Sequence, residues 1–248
     1  MTRSPTTGKP SLYLLSGLLC DESVWTRQTA ALSNEYDIRI PDLRGFDDIT
    51  DMATSILAEG VDRFSLVGHS MGARVALEIM RLAPERVERL ALLDTGVHPR
   101  GAGEAERRQV LVDLADREGM SALADQWLPP MVYAEGARTA ALMPGLKAMV
   151  ERMTPAIHAR QIKALLNRPA AADGLSAIRC PVLIGVGEKD AWSPPAQHQA
   201  MAARIPQACL VIFPGSGHMA PMEAPDAVTA ALKAWLGTSS APVEIASS

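Results

Sequence analysis

A serine hydroxyl is a poor nucleophile until a base takes its proton and an acid orients that base. One stretch of this chain is suited to present such a hydroxyl: Gly68-His69-Ser70-Met71-Gly72, preceded by an apolar run over 64–67 and followed by a helical pattern over 74–83. A strand that turns sharply into a helix strains the central residue and crowds the positions two residues to either side. Gly-X-Ser-X-Gly is therefore the spacing that lifts a serine clear of a sheet edge. The helix N-terminus beneath it carries partial positive charge, which favours a developing anion. Gly and Ser are also common in ordinary strand-to-helix turns, so the motif needs partners.

Those partners belong in loops at the same carboxyl edge of the sheet. Of five histidines, only His218 lies in a glycine-flanked loop after a late strand, Gly215-Ser216-Gly217-His218. His98, His158 and His198 lie in or near helical patterns, and His69 shapes the elbow. For the acid, Asp190 in Gly187-Glu188-Lys189-Asp190 follows the strand before the last one. Asp94 is its rival, since it also ends a strand, and its other role is to lead the chain out of the sheet. Ser70, Asp190 and His218 fall in the chain order expected for this elbow. An oxyanion would be held by backbone N–H groups: that of Met71, next to the nucleophile, and that of Leu18 in Ser16-Gly17-Leu18, where Gly17 allows close approach. His69, Trp192, Met131 and Met219 are candidates to line the pocket, with core packing as the other role for Trp192 and for each methionine. The chemistry calls for no metal and no organic cofactor.

The elements that must position these residues alternate. Strand patterns over 12–16, 38–40, 64–67 and 90–93 are separated by helical patterns, with Ser23 as the cap of the first helix and 49–59 as the second. That rhythm predicts a mostly parallel sheet with helices on both faces. After it, 97–170 contains no convincing strand. Helices over 104–118, 121–127, about 135–152 interrupted by Pro144, and 155–167 make a helical insertion. It carries Met120, Met131, Met143, Met149 and Met153, which either pack a core or form an apolar roof over a pocket. Alternation resumes with strands over 181–186 and 209–213. The expected organisation is a core of 11–96 and 171–237, a helical lid over 97–170, and flexible termini over 1–10 and 238–248.

Composition narrows the functional classes. The chain has 248 residues, 48% hydrophobic and 21% charged, with a net charge of −4. That suits one α/β domain with an insertion, and the charge leaves no basic footprint for nucleic acid. Cys20, Cys180 and Cys209 are widely spaced, which fits neither a disulfide framework nor a metal site and points to a reducing, cytoplasmic setting. Arg3 and Lys9 ahead of the apolar run over 12–20 mimic a short secretion leader, but no small-residue cleavage site follows, so the run is expected to be the first strand. No apolar stretch reaches membrane-spanning length, and no membrane association is expected. Nothing in the sequence decides between monomer and homodimer.

Together, Ser16-Gly17-Leu18, Pro41-Asp42-Leu43-Arg44-Gly45, Gly68-His69-Ser70-Met71-Gly72, Gly187-Glu188-Lys189-Asp190 and Gly217-His218-Met219 resemble the motif set of the α/β-hydrolase fold superfamily, across nearly all of 12–236. Within it, the chain is most similar to small lidded bacterial hydrolases of carboxylic esters or lactones, including enol-lactone hydrolases. The resemblance implies an α/β-hydrolase fold of about six strands, a helical lid, and a Ser70-His218-Asp190 triad acting through an acyl-enzyme on a small, largely apolar ester or lactone. It departs from the family at Ser16-Gly17, where a His-Gly pair is usual; the backbone donor survives that change. Two other functions share the fold: cleavage of carbon–carbon bonds or elimination with the triad as a base, and ligand binding without catalysis.

Overall fold

Six strands pair in parallel in the order β2-β1-β3-β4-β5-β6, in a computed structural model that describes residues 8–136 and 138–237. They are β1 Ser11–Leu15, β2 Asp37–Arg39, β3 Phe64–His69, β4 Val87–Leu93, β5 Val182–Gly187 and β6 Ala208–Phe213. Every residue of β3 and β5 is buried, as expected of parallel strands covered on both faces. The edges are less demanding: β2 has three residues and β6 is half-exposed along most of its length. The expectation of about six parallel strands is met.

The chain runs from β1 outward to β2, crosses back over β1 to β3, and then proceeds in the opposite direction to β6. The sheet thus reverses its winding between β1 and β3. Loops leaving the carboxyl ends of strands at such a point diverge and open a crevice. Here the diverging segments are the Ser16-Gly17-Leu18 loop and the turn at Ser70.

Helices cover both faces. On one, α1 (Thr26–Leu32) packs against α9 (Pro225–Leu236); on the other, α2 (Ile49–Leu57) packs against α3 (Met71–Leu82). Asp48 caps α2 by accepting from the Thr50 and Asp51 N–H groups. The first helical segment begins earlier than the sequence suggests. Asp21, not Ser23, is its cap, accepting from the Ser23 N–H and hydroxyl, and a single 3-10 turn over Glu22–Trp25 precedes α1. An aspartate two residues before a serine outcompetes it because the carboxylate accepts both donors at once.

Between β4 and β5 come three helices and no strand: α4 Glu104–Trp127, α5 Thr139–Glu151 and α6 Pro155–Leu166. Gly119 adopts φ 85° and ψ 176° inside α4, so the two helices expected over 104–118 and 121–127 meet at a break there. The helix expected from about 135 with an interruption at Pro144 instead starts at Thr139 and runs through Pro144 unbroken; Pro144 is its sixth residue, close to the first turn, where few backbone N–H groups have a helical acceptor to lose. Thr154 caps α6 by accepting from the Ile157 N–H. Met120, Met149 and Met153 are buried in the core and do not line the crevice beside Ser70; of the insertion's methionines only Met131 does. The apolar roof expected from their number is therefore mostly core packing.

Two short helices complete the chain, α7 Pro195–Ala202 and α8 Ala220–Glu223. The terminal segments expected to be loose, 1–10 and 238–248, lie outside the described residues except for 8–10. Among the described residues no helix is long and apolar enough to cross a membrane, and no disulfide forms.

The register of α3 on the sheet rests on Gly72. A Cβ at that position would lie 2.2 Å from the Leu15 carbonyl oxygen and 2.8 Å from that of Ser16. Both are backbone atoms of β1 and its following loop, and neither can swing aside. Gly72→Ala is expected to destabilise the fold by about 3 kcal/mol or more, with the loss of melting temperature followed by circular dichroism. An unchanged Tm would contradict the close approach of α3 to β1.

Candidate active site

Ser70 ends β3 and caps α3 with φ 54° and ψ −113°, a left-handed conformation that a side chain bearing Cβ rarely adopts. The strain persists because both sides of the residue are tied to the neighbouring strand. The Ser70 N–H donates to the Leu93 carbonyl at 2.9 Å, and the Thr95 hydroxyl donates to the Ser70 carbonyl at 3.0 Å. Thr95 is itself held, since its N–H donates to His198 Nε2 at 2.9 Å. Gly68 completes the turn: a Cβ there would sit 2.4 Å from the Ala73 Cα.

The structure brings the three expected side chains together. Ser70 Oγ lies 2.8 Å from His218 Nε2. His218 Nδ1 lies 2.9 Å from Asp190 Oδ2. Asp190 also accepts from the Trp192 and Ser193 N–H groups at 2.9 Å each and from the Ser193 hydroxyl at 2.7 Å. Burial pushes the Asp190 carboxyl upward, but the bonds from His218 and Ser193 outweigh it, and the net shift is downward. The group stays ionised beside the imidazole.

Asp94, the rival acid, does not reach His218. Its Oδ1 accepts from the Gly187 N–H at 2.8 Å, which joins the ends of β4 and β5. Burial, and then the Asp190 charge, push its carboxyl well above the ordinary range. Both causes disfavour a second buried anion beside Asp190.

The loop carrying His218 is braced from several sides. His69 Nε2 donates to the His218 carbonyl at 2.8 Å, and the His218 N–H donates to the Met131 carbonyl at 2.9 Å. Glu223, buried at the end of α8, accepts from the Gly217 and Met219 N–H groups at 3.0 Å and from the Tyr133 N–H at 2.7 Å. Glu223 thus ties the His218 loop to the helical insertion. Two of its donors are neighbours in sequence, but the third, Tyr133, is 90 residues away, and no local pattern announces that link. Ser193 was more legible: Asp190-Ala191-Trp192-Ser193 is a pattern in which an aspartate caps its own following turn.

Leu18, Met71, His69, Trp192, Met131 and Met219 all line the crevice that holds Ser70 and His218. The Leu18 and Met71 N–H groups donate to no backbone or side chain among the described residues, whereas the Leu19 N–H is taken by Gln161 Oε1 of α6 at 2.9 Å. Trp192 is 46% exposed at the mouth, so it is not a core residue. Away from Ser70 the crevice changes character and is lined by Arg74, His98, Glu104, Arg108 and Arg168. None of these five is marked as a pocket residue by its sequence pattern.

No group of three or more His, Cys, Asp or Glu side chains suited to a metal ion occurs among the described residues. The arrangement can pass a proton from a strained serine to an imidazole held by an ionised carboxylate, next to two unused N–H donors.

A family model described as the alpha/beta hydrolase family matches residues 12–231. A thermophilic esterase from Thermogutta terrifontis, solved with malate bound, is 32% identical over 93% of this chain and 90% of its own, with a TM-score of 0.84. The enol-lactonase of Burkholderia xenovorans LB400 is 25% identical over 93% and 92% respectively, also with a TM-score of 0.84. A Klebsiella pneumoniae subsp. pneumoniae protein provisionally named carbamate hydrolase RutD is 28% identical over 87% of this chain and 86% of its own.

Two tests follow from this geometry. Glu223→Ala would leave three N–H groups without their acceptor, two of them on the base's loop. It is expected to cost about 2–4 kcal/mol of stability and to lower kcat more than it raises KM; a variant with wild-type Tm and kcat would contradict the bracing role. The second concerns acid. Burial pushes His69 and His158 down to about 4 each, with the Arg108 charge adding to the effect at His158, whereas the unfolded chain protonates near the ordinary value of about 6.5. Between those limits the unfolded state binds more protons, so stability must fall as pH falls, by about 1.4 kcal/mol per pH unit for each imidazole. His158→Leu should remove one such increment from the slope of unfolding free energy against pH between about 6.5 and 4. An identical slope in both proteins would contradict it.

Proposed function

Because the chain belongs to the alpha/beta hydrolase family, we propose that it is a serine hydrolase of small carboxylic esters or lactones. The observation that carries the proposal is the continuous path from Ser70 Oγ through His218 to an ionised Asp190, with contacts of 2.8 and 2.9 Å.

The chemistry follows from that path. Ser70 Oγ attacks the substrate carbonyl while His218 Nε2 takes the hydroxyl proton. Asp190 accepts from Nδ1–H, fixes the tautomer and stabilises the imidazolium. The carbonyl oxygen gathers negative charge, which the Leu18 and Met71 N–H groups and the positive end of α3 stabilise. Collapse expels the alkoxide, which leaves with the proton from His218. Water, deprotonated by the same imidazole, then attacks the acyl-serine, releases the acid and restores Ser70.

The helical insertion over 97–170 serves as a lid. Its supports are Gln161 on the Leu18-Leu19 loop, the Met131 carbonyl on His218, and the ion pairs Arg152–Asp21 at 2.7 Å and Lys163–Asp47 at 2.6 Å. Met131 and Trp127 bring apolar surface to the crevice, and Leu18, Met219 and Trp192 face them from the core.

The experiment is a screen of p-nitrophenyl esters of graded chain length with several lactones, run on wild type and Ser70→Ala. Removal of the hydroxyl is expected to leave the fold intact and to lower kcat by a factor of about 10³ or more. Near-normal turnover by Ser70→Ala would overturn the serine mechanism.

A further inference from the structure

The inner end of the crevice holds more positive charge than the fold uses. Three guanidinium groups, Arg74, Arg108 and Arg168, line it with one carboxylate, Glu104. Glu104 is fully committed: Arg168 Nη1 and Nη2 each donate to it at 2.9 Å, as do Arg108 Nε at 2.9 Å and the Gly101 N–H at 3.0 Å. Burial pushes its carboxyl up, but those bonds outweigh it and hold it down at about 2. Arg168 is equally committed, since it also donates to the carbonyls of Leu165, Pro99 and His98. The Glu104–Arg168 pair is thus a clamp that needs nothing further.

Arg74 is different. It lies on α3, one turn from the nucleophile, and is only 7% exposed. Its Nη2 donates to the His98 carbonyl at 3.2 Å, but its Nη1 is buried without a partner. Burial and the neighbouring Arg168 push it down to about 9, so it remains a cation at neutral pH. The Glu104 charge acts on Arg74 from nearby, but its oxygens are bonded to Arg168 and Arg108 and not to Arg74. A buried guanidinium with no carboxylate of its own is costly to the fold, and a fold that needed only packing there would do better with leucine or methionine.

We infer that Arg74, with Arg108 beside it, forms an anion subsite within the active-site crevice, and that the substrate carries a carboxylate close to its scissile carbonyl. This rests on the serine-hydrolase reading above and narrows it: the ester or lactone is anionic, not wholly apolar. Spacing sets the distance. Ser70 caps the helix that carries Arg74 four residues on, a backbone rise of about 6 Å, which a short dicarboxylate skeleton can span. A guanidinium receives a planar carboxylate through two parallel N–H bonds.

The test compares two esters of equal length, mono-(4-nitrophenyl) glutarate and 4-nitrophenyl valerate, with glutarate and inorganic phosphate as inhibitors. Wild type is expected to favour the anionic ester by at least tenfold in kcat/KM and to be inhibited competitively by glutarate. Arg74→Met should lower the ratio of the two kcat/KM values at least tenfold, and Arg74→Lys should lower it less. The wild-type ratio is informative even if a variant fails to fold. Hydrolysis of the valerate ester without preference for the glutarate would overturn the subsite while leaving the hydrolase reading intact. Hydrolysis of neither ester, nor of any in the chain-length screen, would overturn the hydrolase reading itself. Tighter inhibition by phosphate than by glutarate would overturn the assignment to a carboxylate.

Discussion

The structure depends on one strained residue held at the meeting point of a strand and a helix. Ser70 occupies a positive-φ conformation that the polypeptide alone would not choose. It is kept there because α3 lies against β1 with no room at Gly72, and because its N–H and carbonyl are both bonded to β4 and the residues just after it. If that packing relaxed, the hydroxyl would turn away from His218. The strain of the elbow is therefore offset by the burial of the sheet centre, where β3, β4 and β5 are almost wholly enclosed.

The second requirement is a base held still without being bonded away. His218 has both ring nitrogens engaged by the site, one with Ser70 and one with Asp190. Its backbone is anchored separately, by His69, by Met131 and through Glu223 on its neighbours. Two of these anchors, Met131 and the Tyr133 N–H on Glu223, come from the chain that leaves the sheet after β4 and returns at β5. The helical insertion thus helps to position the imidazole as well as covering the crevice.

Much of this was legible in the sequence, for definite reasons. The elbow could be found because crowding demands glycine at fixed offsets from Ser70, and a fixed offset survives in a linear string. Asp190 and His218 could be found because parallel strands deliver their loops to one edge. The α4–α6 helices were visible from periodicity, down to the break at Gly119. What escaped were interactions whose partners are distant in sequence. Glu223 takes one of its donors from Tyr133, 90 positions away, and Thr95, which bonds Ser70, is itself held by His198 across 103 positions. The methionines stayed open between core and roof because helical spacing does not say which side of a helix meets a core and which a cavity. Arg74, Glu78, Arg81 and Glu85 stand three or four residues apart, and a polar stripe at that spacing on a surface helix normally faces water. Here Arg74 and Glu78 are both buried, Arg74 in the crevice with Arg168 and bonded to His98, and Glu78 against Thr50 of α2.

The central claim is that Ser70 is activated by His218. A fluorophosphonate reacts only with a serine whose proton can be taken as the phosphorus–oxygen bond forms, so it reports activation without knowledge of the substrate. Wild-type protein treated with such a probe, digested and mapped by mass spectrometry should carry the adduct on the peptide containing Ser70, and His218→Ala should carry little or none under the same conditions. Absence of an adduct from the folded wild-type protein, or equal labelling of the two proteins, would contradict the account.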